Sequence, residues 1–121
     1  MMLDRFKAGI ELFRNEVSNE LPLQQLYMLL LVIEDEGINQ QDFQEFLGAP
    51  GGSISRNLAR LGTKIVEDRD GKRVDVGYGL VQILPDSTDP KKNTVHLTKK
   101  GKEFAEKLKK LLSNQDPHQR A

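Results

Sequence analysis

Pro50-Gly51-Gly52-Ser53-Ile54-Ser55-Arg56-Asn57-Leu58-Ala59-Arg60-Leu61 breaks the chain at three helix-poor residues and restarts it as a short amphipathic helix. Ile54, Leu58 and Leu61 recur at spacings of four and three, so they share one helical face. Ser53, Ser55, Arg56, Asn57 and Arg60 fall on the remaining surface, free for solvent or a ligand. Upstream, Asn39 is a candidate N-cap for another short helix that turns Phe43, Phe46 and Leu47 inward and stops at Gly48. Two short helices joined by a tight glycine-containing turn form a helix-turn-helix unit.

The flanking segments extend this unit in both directions. Downstream, Leu80-Val81-Gln82-Ile83-Leu84 reads as a strand and Asn93 to Leu97 as its partner, with Pro85 to Lys92 a polar connection too long for a tight turn. This is a two-stranded antiparallel wing within residues 79–97. Between helix and wing, the charged segment from Lys64 to Val76 predicts an exposed loop or small hairpin. Thr98 is placed to cap a last helix over residues 98–113 that carries Phe104, Leu108, Leu111 and Leu112. Residues 114–121 are polar and predict a frayed, flexible tail. Upstream, Leu3, Phe6, Ile10, Phe13 and Val17 line one side of a first helix within residues 1–19. Pro22 suits the first turn of a second helix, whose run from Leu23 through Leu26, Tyr27 and Leu29 to Ile33 is apolar almost all round. That pattern predicts the central buried helix, ended at Gly37. The expected architecture is one domain, mainly α with a small β-wing, of about five helices and a two-stranded hairpin.

Composition narrows the chemistry. With 121 residues the chain supports one core. No run of eighteen uncharged apolar residues is present, and the start lacks the pattern of a secretion signal, so a soluble cytoplasmic protein is expected. The absence of cysteine removes disulfides, thiol catalysis and thiolate metal sites, and His96 and His118 cannot hold a metal by themselves. No nucleophile elbow, phosphate-binding lysine loop or paired metal-ligand motif occurs, and His96 lies in a predicted strand where it flanks a sheet; neither an enzyme nor a cofactor is expected. The net charge is zero, yet residues 1–47 hold three basic and nine acidic side chains, which leaves a net +6 on residues 48–121. Such an asymmetry between halves is a hint of a nucleic-acid face.

Gly79-Leu80-Val81, then Asp86 and Asp89-Pro90-Lys91, then Val95-His96-Leu97-Thr98-Lys99-Lys100-Gly101 resemble the wing signature of the MarR-type transcriptional regulators. Ser53, Ser55 and Arg56 resemble the serine-rich start of that family's recognition helix, and Leu58 and Leu61 its buried face. The resemblance runs from about Leu23 to Leu112 and is most specific in the wing and the helix after it. It departs in three places. Lys91 stands where the family has an arginine, keeping the charge but losing the planar fork that suits a narrow minor groove. The charged segment of residues 64–76 is an insertion. One helix follows the wing where better-known members have a longer helical dimerisation region.

The resemblance implies a double-stranded DNA-binding regulator that acts as a homodimer. Ser53, Ser55, Arg56, Asn57 and Arg60 would contact the major groove, Asn57 reading adenine and the arginines guanine. Lys91, Lys92 and Asn93 would contact backbone or minor groove, fixing register more than sequence. Lys72 and Arg73 either add a DNA contact or lie in a loop that bulges outward, the second being favoured. The stripe of the first helix serves its own domain or a second subunit; dimerisation is assigned to Leu3, Phe6, Ile10 and Phe13 with Leu108 and Leu111. A small-molecule effector is possible on the family's pattern, though no residue here points to one. The alternative is a winged helix that serves as a protein-interaction or replication accessory module with weak DNA specificity, favoured by the acidic first third.

Overall fold

Pro50 lacks an amide hydrogen and holds an extended backbone (φ −63°, ψ 152°), so the chain before it cannot continue as a helix. Its carbonyl then accepts from the amides of Ser53 and Ile54 at 3.0 and 3.2 Å, and winding begins at once. In the computed structural model, which describes residues 1–113, this helix is α4 (Gly51–Leu61). It buries Ile54, Leu58 and Leu61 against α2 (Leu23–Glu34), whose own buried face is Gln25, Met28, Leu29 and Val32. Pro22 stands immediately before α2, its carbonyl accepting from Leu26 N–H at 3.1 Å.

Two further helices complete the apolar side. α1 (Met2–Glu16) and α5 (Lys99–Ser113) lie against each other, with the rings of Phe13 and Phe104 meeting edge to face at 5.0 Å. Lys107 Nζ closes the rim of this contact on the Glu16 carboxylate at 3.1 Å.

A three-stranded antiparallel sheet, ordered β1 (Ile38–Asn39), β5 (Asn93–Leu97), β4 (Val81–Pro85), covers the other side. Ile38 pairs with Val95 and Val81 with Leu97, and these four apolar side chains are all buried. Thr98 joins sheet to helix: its hydroxyl donates to the Gly79 carbonyl at 2.6 Å and accepts from Gly101 N–H at 3.0 Å, the N-cap bond expected from its residue type.

Several expectations need correction. Asn39 does not cap the third helix; it belongs to β1, and α3 (Asp42–Leu47) starts three residues later. The two-stranded wing is the β4–β5 hairpin as expected, and β1 adds a third strand to its sheet. Phe46 points outward and is 54% exposed, because Phe43 and Leu47, one turn apart, form the side of α3 that packs on the core and Phe46 falls on its outer flank. Gly51 and Gly52 are not chain breaks but the first turn of α4, and Pro50 alone supplies the break. α2 is not buried all round: Leu23 is 79% and Tyr27 42% exposed. Residues 64–76 do form a hairpin, β2 (Ile65–Glu67) with β3 (Arg73–Asp75), turned at Gly71 with φ 78°. Asp68 Oδ1 holds that turn by accepting from the amides of Asp70 and Lys72, each at 2.9 Å. The tail expected at residues 114–121 lies outside the described residues.

Candidate nucleic-acid interface

The helical period leaves one side of α4 out of the core, and the polar side chains there are not equivalent. Ser55 and Arg56 are exposed, whereas Ser53, Asn57 and Arg60 are half-buried. Ser55 Oγ accepts from Gln40 Nε2 at 3.1 Å. Asn57 Oδ1 accepts from Gln25 Nε2 at 3.0 Å, tying it inward to α2. The Arg60 guanidinium lies over the Tyr78 ring, 4.9 Å from its centre, a cation–π contact instead of a carboxylate pair. Arg56 has no ion-pair partner among the described residues.

The wing is short. Asp86 N–H donates to the Lys92 carbonyl and Lys92 N–H to the Asp89 carbonyl, at 2.8 and 2.9 Å, so the connection curls up directly beyond the strands. Its acids face their own backbone: Asp89 Oδ1 accepts from Lys91 N–H at 3.1 Å, and Asp86 Oδ1 from the Thr88 amide and hydroxyl at 2.9 and 3.0 Å. The Thr88 amide, then its hydroxyl, hold the Asp86 carboxyl below the ordinary aspartate range. Lys91 and Lys92 remain exposed.

Strand pairing decides where those lysines stand. Gln40 N–H donates to the Asn93 carbonyl at 2.8 Å, continuing the β1–β5 ladder to its end. Lys91, Lys92 and Asn93 thereby share a cleft of about 240 Å³ with Gln40, Gln41, Gln44, Gly51, Ile54 and Ser55. The first turn of α4 and the wing thus open on one concavity. Sequence reading missed the three glutamines; their spacing beside a helix start was the available signal, and the assignment of Asn39 as a cap hid it.

Lys72 and Arg73 are not brought to this cleft. They stand on the β2–β3 hairpin, which follows the other end of α4. Of the residues assigned to a dimer contact, Leu3 and Phe6 are exposed, at 69% and 61%, and Ile10 and Leu111 are half-buried. Phe13 and Leu108 correct that assignment: each is 3% exposed and belongs to this chain's own core, since α5 folds back onto α1. Phe6, Gly9, Ile10, Leu30 and Leu112 rim an apolar groove with Phe13 and Leu108 at its base.

His96 sits on the sheet's outer side, its Nε2 2.8 Å from Thr94 Oγ1 and its Nδ1 3.9 Å from Glu36 Oε2. Among the described residues no group of three histidine or acidic side chains is placed to hold a metal, and no helix is long and apolar enough to cross a membrane.

No protein-family model matches the chain, and no curated protein matches it in sequence. Solved structures match it in fold. MepR of S. aureus in complex with DNA gives a TM-score of 0.61 at 17% identity, covering 98% of this chain and 82% of that one. A MarR transcriptional regulator from Methanosarcina mazei gives 0.59 at 21% identity over 98% and 83%. Mutant MarR from E. coli complexed with operator DNA gives 0.57 at 23% identity over 98% and 74%. With its helix-turn-helix, its β4–β5 wing and its flanking terminal helices, the chain has the winged helix-turn-helix fold of the MarR-type transcriptional regulators.

Proposed function

We propose that the chain binds double-stranded DNA as a homodimer and regulates transcription in the cytoplasm, without catalysing a reaction. The observation that carries this reading is the cleft in which the start of α4, Ser55, Lys91, Lys92 and Asn93 meet. The free amides and positive dipole end of α4 favour an anion there, and Gly51 and Gly52 let a phosphate approach without meeting a side chain. In this reading α4 enters the major groove, and the wing lysines grip the adjacent backbone as flexible point charges. Contacts of that kind fix register, while side chains of α4 reach the base edges. The solved complexes of MarR with operator DNA and of MepR with DNA support the same use of the fold.

The dimer is supported by the apolar surface that α1 and α5 leave uncovered: Leu3 at 69%, Phe6 at 61% and Leu112 at 42% exposure. A second copy on that surface removes it from water. It also presents two α4 helices to half-sites about one helical turn apart.

Fluorescence anisotropy on random genomic duplex at several salt concentrations, with light scattering on the same sample, tests the reading. Lys91 and Lys92 from two protomers, four phosphate contacts, give an expected slope of log affinity against log salt of about −4. A monomer at binding concentrations refutes the homodimer, and no binding at low salt refutes the function.

A further inference from the structure

The amide and guanidinium side chains of α4 divide into two already engaged with the protein, Asn57 and Arg60, and one that is not, Arg56. Reading adenine requires an amide to offer its oxygen to N6 and its NH₂ to N7 together. The Asn57 oxygen is taken, at 3.0 Å, by Gln25 Nε2. Gln25 is 7% exposed, and its Oε1 has no partner. Turning Asn57 toward DNA strands both polar ends of a buried amide, which is strongly disfavoured. Arg60 is engaged as well: its guanidinium face rests on Tyr78, and its carbonyl accepts from Tyr78 N–H at 2.8 Å. Arg56, one turn earlier, is exposed without an ion pair among the described residues. It lies beside Gly52, where a Cβ would stand in ordinary contact, 3.5 Å from Nη1.

We infer, on the basis of the DNA-binding reading above, that among the amide and guanidinium side chains of α4 base discrimination rests on Arg56, and that Gln25 is a positioning residue that sets the roll of the helix through Asn57. Apolar contacts are non-directional and permit small rotations of one helix on another. The Gln25–Asn57 bond is directional and joins α2 to α4 at a part-buried position, so it selects one rotation. That rotation aims Arg56 at a single base pair per half-site, and a free guanidinium fork matches the O6 and N7 of guanine.

The test is selection from a random duplex library, followed by affinities for each single-base change in the selected site, with the full chain and its variants. Arg56→Lys keeps the charge and loses the fork; it is expected to cut the guanine preference at one position by about tenfold or more while keeping the salt slope. Arg60→Lys and Asn57→Ser, the latter keeping an oxygen for Gln25, are expected to leave the preferences at every position unchanged. Gln25→Leu lowers both the melting temperature and the guanine preference. The double variant Gln25→Leu/Asn57→Leu leaves no buried polar group unpaired, so it restores the melting temperature but not the preference. An adenine preference lost in Asn57→Ser, a guanine preference lost in Arg60→Lys, or a double variant that discriminates like the parent overturns the assignment. No enrichment of any sequence by the parent, despite salt-dependent binding, overturns it too and leaves DNA binding intact; no binding at all removes the function itself.

Discussion

Replacing Thr98 by alanine removes one hydroxyl that holds two elements together. The Gly101 amide loses its N-cap acceptor at 3.0 Å, and the Gly79 carbonyl loses a donor at 2.6 Å where the wing begins. The lost cap costs about 1 kcal/mol, and the lost part-buried hydrogen bond about another 1 kcal/mol. For a chain of 121 residues, an unfolding entropy of about 2.1 cal/mol/K per residue turns that sum into a melting temperature lower by about 8 °C. Differential scanning calorimetry of the parent, Thr98→Ala and Thr98→Ser measures it. Serine keeps the hydroxyl and is expected to keep most of the stability. The reasoning fails if alanine melts within about 2 °C of the parent, which is a change of only about 0.5 kcal/mol, or if serine falls as far as alanine.

Phe13→Ala removes a 3% exposed ring packed on Phe104, and urea denaturation is expected to show a loss of about 3–5 kcal/mol; an unmoved midpoint contradicts a core role for α1. The pair Leu3→Ser and Phe6→Ser alters exposed side chains, so dissociation in light scattering is expected with little change in intrinsic fold, and a dimer that persists refutes the placement of its surface. Gly77→Ala drives a side chain into the backbone of Gly62; protease cleavage within residues 64–76 is expected to accelerate, and an unchanged digestion pattern speaks against a rigid stem. The Thr88 bonds to Asp86 are fully present at neutral pH and, because they depress the folded carboxyl, disappear only as pH falls below the usual aspartate value near 3.9. An NMR titration of the Thr88 amide with a midpoint at or above that value contradicts the wing geometry.

The alternation of Val95 and Leu97 with Thr94 and His96, and the spacing of Ile54, Leu58 and Leu61, made the wing and the second helix of the helix-turn-helix legible, because both elements have one covered face. β1 was not legible: two residues show no period, and Ile38–Asn39 forms a strand only because β5 is there to pair with it. The same held for Phe46, whose residue type says inward although Phe43 and Leu47 already form the side of α3 that meets the core. Ser55, Arg56, Lys91 and Lys92 could be named from sequence as surface residues of one basic half. Their meeting with Gln40, Gln41 and Gln44 could not, since it depends on the ladder that sets Asn93 beside Gln40. The division between engaged Asn57 and Arg60 and free Arg56 depends on Gln25 and Tyr78, residues distant in sequence whose types signal nothing unusual.

The β2–β3 hairpin leaves the winged frame and rejoins it at almost the same point. Val76 N–H reaches the Lys64 carbonyl at 2.8 Å, and Gly79 N–H reaches the Gly62 carbonyl at 2.9 Å. Its two ends are thus already adjacent, and the chain between them closes a loop whose length matters only logarithmically to stability. Residues 64–76 are in that sense a cassette: the Gly79–Gly62 bond that closes the frame behind them is made by residues outside the segment.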